Sequence, residues 1–170
     1  ILCQGNGSNN VSDIFRSDNA ASNSGITWTS LPVPTIIDQG SNSIFTRNQA
    51  WYDLIAAVDP SNADVVYIGG VDALRSTNAG ANWTQITTWS LFAASGYTSA
   101  QNVHADHHMI TFQPGSSTNA IWGTDGGLDF TTDVNNTGSF PSFISKNNGY
   151  NVTQFYSCAT SNEPGGNNFL

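Results

Sequence analysis

The sequence predicts an all-β protein: β-propeller blades of four antiparallel strands, about three blades of a larger propeller. Three observations lead there. The first is a turn, Ser76-Thr77-Asn78-Ala79-Gly80-Ala81-Asn82-Trp83. Ser76 and Asn78 are short side chains able to bond backbone groups two residues on. Gly80 supplies the positive φ of a tight return, and Trp83 opens the next strand. Residues 21–28 repeat the turn at Asn23, Gly25 and Trp28, and a weaker copy opens at Thr131-Thr132-Asp133. The second is a wider repeat. Residues 57–69 align with 111–123 at a constant offset of 54, while Trp28 and Trp83 lie 55 apart. A period of this size, made of strands and turns, marks a repeat array. The third is composition. Only 9% of residues are charged, and Asn, Ser, Thr and Gly fill the polar positions, as on the surface of an extracellular all-β protein.

The elements follow in order. Residues 1–4 read as a strand entered part-way, and residues 13–17 as the next, matched one repeat later by 72–76. Trp28 to Leu31 is a strand ended by Pro32 and Pro34, because proline cannot donate to a ladder. Residues 36–47 read as a connection. Tyr52 to Val58 is mostly apolar, as expected of an inner strand buried on both faces. Strands at 65–68, 73–76 and 83–86 complete that blade. After an insertion over 87–102 come strands at 108–112, 120–123, 128–131 and 143–146, then an inner strand at 153–159. The blades are therefore a partial one over 1–47, full ones over 48–102 and 103–150, and the start of another over 151–170. Each unit hides its faces only against neighbours, which implies further blades in the same or an adjacent chain. The competing arrangement pairs the last inner strand with residues 1–4 to close a compact ring.

The formal net charge of -8, with Arg16, Arg47, Arg75 and Lys146 as the cations, excludes nucleic acid as a partner. No apolar run approaches membrane-spanning length. Secretion or display at the cell surface is the expected location. A removed leader or a longer parent chain would each account for a first residue Ile1. Cys3 and Cys158 are compatible with a disulfide or with two thiols. Glycosylation sequons stand at Asn6, Asn10, Asn82, Asn135 and Asn151.

The turn resembles the Asp-box, or BNR, repeat of sialidases, xyloglucan-cleaving hydrolases and sortilin-type propellers. Asn78 and Asn23 stand where that motif has Asp. Stretches 104–108, 123–128 and 148–156 are similar to parts of large secreted bacterial proteins with sortilin-like or BNR repeats. The resemblance implies a propeller. It carries little about activity, because the repeat is structural in all these families.

Candidate chemistry falls into three groups. His104, Asp106 and His108 would share one face of an extended strand, and two imidazoles with a carboxylate suit zinc or another divalent metal. That metal is the one cofactor the residues suggest. The plain alternative is that these groups position the insertion before them; His107 would face away. Asp125-Gly126-Gly127 resembles a stretch of xyloglucan-cleaving hydrolases that carries a catalytic acid, with Asp106 or Asp53 as the second carboxylate that hydrolysis requires. The alternative is a tight turn. A sialidase is disfavoured, since Arg16 and Arg75 occupy one repeated scaffold position. Trp51, Trp89, Trp122, Tyr97 and Tyr150 could stack on sugars, with Trp89 and Tyr97, in the insertion, the better candidates; Trp28, Trp83 and Trp122 read as packing between blades. The expected function is a binding or structural module with a glycan or protein partner, against a fragment of a glycoside hydrolase.

Overall fold

The computed structural model describes residues 1–38, 41–90 and 96–149. The protein is all-β, built of four antiparallel sheets. β1 (Leu2–Gln4), β2 (Val11–Arg16) and β3 (Thr29–Leu31) form the first. β4 (Thr35–Asp38) and β5 (Ser41–Ile44) form a separate hairpin where the sequence suggested only a connection. β6 (Ile55–Val58), β7 (Val66–Gly69), β8 (Ala73–Ser76) and β9 (Thr84–Gln85) make the second sheet. β10 (His107–Phe112), β11 (Ala120–Thr124), β12 (Gly127–Thr131) and β13 (Ile144–Ser145) make the third. The strand expected at 153–159, Cys158 and Tyr150 lie outside the described residues. Among those residues no helix is long and apolar enough to cross a membrane.

The repeat is a repeat of hydrogen bonds. Val58 pairs with Val66 and Ile55 with Gly69; 54 residues later Phe112 pairs with Ala120 and Met109 with Gly123. The intervening turns close alike, Asp59 N–H to Val65 O and Gln113 N–H to Asn119 O, both at 2.9 Å. At the next turn the offset between the second and third sheets steps from 54 to 55, separately from the 55-residue spacing of Trp28 and Trp83, which relates the first sheet to the second. Gly69 pairs with Ala73, but Gly123 pairs with Leu128, so the later turn holds one more residue.

The last hairpin of each of the three sheets shares one register. Arg75 faces Thr84, Arg16 faces Thr29, and Phe130 faces Ile144. Each turn is held by one device. A hydroxyl (Ser76, Ser17 or Thr131) donates to the side-chain oxygen of Asn78, Asn19 or Asp133 at 3.0, 3.0 and 2.8 Å. That oxygen accepts the backbone N–H of Asn82, Thr27 or Ser142 at 2.8, 3.0 and 2.9 Å. An aromatic residue follows at once: Trp83, Trp28 or Phe143. The working asparagine of the first copy is thus Asn19, not Asn23. Asn78 and Asn82 are four positions apart, whereas Asn19 to Thr27 is eight and Asp133 to Ser142 is nine. The longer returns hide the equivalence from an ungapped comparison. In the short turn the chain reverses through left-handed Ala79 (φ 59°) and Gly80 (φ 89°), and the Ser76 hydroxyl also accepts from Gly80 N–H at 2.8 Å.

Alternation along the strands gives each sheet two packing faces. Tyr67, Val65 and Ala73 of the second sheet meet Ile110, Phe112, Ala120, Trp122 and Phe143 of the third. Tyr67 and Trp122 are fully buried, with rings edge-to-face at 6.0 Å. The opposite face, through Ile68 and Leu74, meets Val11 and Ile14 of the first sheet and Ile36 and Phe45 of the hairpin. Trp83 packs there, as expected, but Trp28 is 47% exposed. The inner strand is also shorter than its apolar run. It begins at Ile55, Val58 is exposed, and Tyr52 belongs to a polar turn.

Urea unfolding of four variants tests the packing and the turn equivalence. Trp122→Ala should cost about 3–5 kcal/mol in urea unfolding. Tyr67→Phe should stay within about 1 kcal/mol of the parent, because the buried Tyr67 hydroxyl has no hydrogen-bond partner among the described residues. Asn19→Ala should cost about 1 kcal/mol and Asn23→Ala under about 0.5 kcal/mol. The reverse order would refute the assigned equivalence.

Candidate functional site

The polar residues singled out in the sequence gather at one end of the second and third sheets, beside the β7–β8 and β11–β12 turns. The platform beneath them is the turn over 45–53. Its backbone closes through Gln49 N–H to Thr46 O (2.7 Å) and Tyr52 N–H to Gln49 O (2.7 Å). It is tied down from outside. Asn10 accepts from Asn48 N–H (2.7 Å) and from the buried Thr46 hydroxyl (3.2 Å), and Ala50 N–H donates to Asn9 O (2.8 Å). Arg47 (φ 42°) and Asn48 (φ 66°) adopt left-handed backbone to make this shape. Such conformations persist where the surroundings over-determine them.

On that platform Tyr52 reaches Asp125. Its hydroxyl lies 2.8 and 3.0 Å from the two carboxylate oxygens. His108 Nε2 lies 2.8 Å from Asp125 Oδ1, and the Tyr52 and His108 rings meet edge-to-face at 4.7 Å. The hydrogen bond to Asp125, reinforced by burial, pushes the Tyr52 phenol up to about 12. Trp51 stands beside Tyr52, ring centroids 5.4 Å apart, and is 64% exposed.

Asp106 is turned elsewhere. Gln49 Nε2 donates to it at 2.7 Å and to Asp53 at 3.3 Å, so one amide serves two carboxylates. Asp53 is fully buried, and its Oδ1 has no hydrogen-bond partner among the described residues. Burial raises its carboxyl to about 7, against the opposing Gln49 bond.

The expected alternation of His104, Asp106 and His108 along one strand does not form. β10 starts only at His107, a bulge follows it, and Asp106 has φ 67°. That left-handed residue breaks the period on which the shared face depended. The three residues take three jobs. His108 holds Asp125, Asp106 binds Gln49, and exposed His104 packs over Gly126. Among the described residues no group of three or more His, Cys, Asp or Glu side chains is placed to hold a metal ion. His107, expected to face away from the other three in a structural or exposed role, is fully buried; desolvation lowers its imidazole to about 3, so it is neutral.

The Asp125-Gly126-Gly127 turn has structural reasons for both glycines. A Cβ on Gly126 would collide with the His104 side chain, and Gly127 (φ 114°) would collide with Asn147. Asn147 caps the turn, accepting from Leu128 N–H and donating to Gly126 O, each at 2.9 Å. Gly127 is therefore a position where left-handed backbone and close approach coincide.

The two aromatic candidates of the insertion are engaged in packing. The Tyr97 hydroxyl donates to Gln85 O at 2.8 Å, and its ring stacks on Phe140 at 4.6 Å. Trp89 packs on the core between the first and second sheets, with the Arg47 guanidinium 5.8 Å over its ring. With Arg47, Gln49 and Asp106 it lines a shallow recess of about 240 Å³. Arg75 is buried and donates to Val134 O at 2.7 Å, consistent with a scaffold role, while Arg16 pairs with Asp18 at the surface. Trp51, which the sequence ranked below Trp89 and Tyr97, is 64% exposed. Its signal was the polar neighbourhood Arg47-Asn48-Gln49, which excludes a strand interior.

Compared with known proteins, the chain matches no family model, no curated protein and no solved structure.

Asp53 makes stability depend on pH. Its folded-state value near 7 exceeds the ordinary 3.8, so its contribution is complete below about pH 3.8 and is lost as pH rises through about 7. Asp53→Asn should reduce the fall in urea midpoint between pH 4 and 7 relative to the parent. An unchanged fall would show that Asp53 does not carry it.

Proposed function

We propose that the chain is part of a secreted or cell-surface β-propeller that serves as a binding and structural module for a glycan or protein. The observation that carries this reading is the shared ladder register and turn cap of successive sheets, which stack face to face. Ile121 supports it further. It is the counterpart of fully buried Tyr67, yet it is 39% exposed on the far face of the third sheet, with Met109 and Ile144 also exposed. Further blades would cover that face. In this arrangement the turn motif with Asn78, Gly80 and Trp83 is the Asp-box, structural in role.

Binding fits the polar end better than hydrolysis does. A glycoside hydrolase needs an acid and a second carboxylate facing one groove. Here Asp125 receives Tyr52 and His108, Asp106 receives Gln49, and Asp53 is buried. Asp125 and Asp106 each brace a loop, and Asp53 is withdrawn from solvent, so no two of these carboxylates are both free to face one groove.

Incubation with insoluble and soluble polysaccharides distinguishes the two. The expected result is retention on at least one polysaccharide without release of reducing ends. Reducing-sugar release that Asp125→Asn or Asp106→Asn abolishes would replace the module with an enzyme.

A further inference from the structure

We propose that Trp51, Tyr52, His108 and Asp125 form a stacking platform for a neutral pyranose oligosaccharide; the assignment rests on the binding-module reading and names its site and ligand class. Trp51 is 64% exposed, and Tyr52, 37% exposed, stands beside it at a tilt of 42°. An aromatic face is electron-rich and attracts the partially positive C–H groups of a sugar ring. Sugars whose substituents lie equatorial present such C–H groups as a flat face.

The polar half of a sugar site stands at the same place. Asp125 accepts Tyr52 on both oxygens and His108 on Oδ1 alone, which leaves lone-pair capacity on Oδ2 for a ligand hydroxyl. The His108 and Asp125 side chains are each 35% exposed, so both can be reached. An apolar wall with a few fixed polar groups is the usual composition of a small-ligand site. A protein partner would instead favour an apolar patch depleted of charge at its centre. Here the centre holds a carboxylate and an imidazole.

Rigidity and charge narrow the ligand. The platform turn is braced by Asn9 and Asn10 and through Tyr52 by Asp125, so little ordering remains to oppose binding. Asp125 at the platform and the net charge of -8 disfavour acidic sugars. A neutral chain such as a β-linked glucan or xylan meets both conditions.

The test is calorimetric titration of the 170-residue chain with cellohexaose, xylohexaose and an oligogalacturonate, repeated for Trp51→Ala, Trp51→Phe and Asp125→Asn, with NMR shift mapping. The expected result is binding of a neutral hexaose, weakened at least about tenfold by Trp51→Ala and less by Trp51→Phe, about three- to tenfold weaker in Asp125→Asn, and no binding of the oligogalacturonate. Trp51 is exposed, so its variants should keep the parent's unfolding midpoint, which the titrations require as a control. Binding that survives Trp51→Ala and maps elsewhere would overturn the platform while leaving a binding module intact. Absence of binding to both neutral hexaoses, a preference for the oligogalacturonate, or a protein ligand mapping to Trp51 would overturn it as well. Hydrolysis of a bound hexaose would instead overturn the module reading, with the Trp51 effect on affinity still testing the platform.

Discussion

Sheets of four short strands have two faces and too little depth to bury either alone, so burial between neighbours governs this structure. The second sheet shows the constraint most clearly. Tyr67 and Ile68 are adjacent in sequence, point to opposite faces, and are both buried, one against Trp122 and the other against Val11 and Ile14. Such a sheet is stable as the middle of a stack. The edge-to-face contact of Tyr67 and Trp122 joins positions of different register in the repeat, since the counterpart of Trp122 is Ile68 and that of Tyr67 is Ile121. The same two faces, used in alternation, generate the array.

Turns do the second job, which is to close the last hairpin of each sheet. The hydroxyl and carboxamide pairs at Ser76 and Asn78 and at Ser17 and Asn19, and the hydroxyl and carboxylate pair at Thr131 and Asp133, satisfy backbone donors that a bare turn would leave to water. They tolerate returns of different length because the cap fixes the entry and exit of the loop and leaves its middle unconstrained. At the opposite kind of turn, the extra residue in the Asp125-Gly126-Gly127 return carries Asp125 out to meet Tyr52 and His108. A single added residue in the repeat thus creates the cluster that its counterpart turn, Gly70-Val71-Asp72, does not have. There Asp72 instead lies buried, accepting from Gln85 and from Trp89 N–H.

Carboxylates at this end are held by neutral donors as well as by His108. Gln49 divides its amide between Asp53 and Asp106, and the Tyr52 phenol serves Asp125. With few cations in the chain, amides and hydroxyls carry out much of the work that ion pairs do elsewhere, at lower desolvation cost. The arrangement ties three segments distant in sequence, 45–53, 104–108 and 124–127, into one braced surface.

The all-β class, most strand positions and the long period were legible in the chain because they rest on local chemistry: alternation, proline stops, and the Ser76-x-Asn78-x-Gly80 turn. The hairpin of β4 and β5 was not legible, since its strand at 41–44 is mostly polar and gains its place by lying on Phe45, Ile36 and the core below. The true partner of Asn78 in the first copy was hidden by four extra loop residues. The site was half legible. Asp125, Asp106 and His108 stood out by residue type, but their alternation assumed an extended backbone that Asp106 does not adopt. Which side chains meet there was decided by tertiary structure alone, because the contacts of Tyr52 with Asp125 and of Gln49 with Asp106 span 73 and 57 residues, and no local period reaches so far.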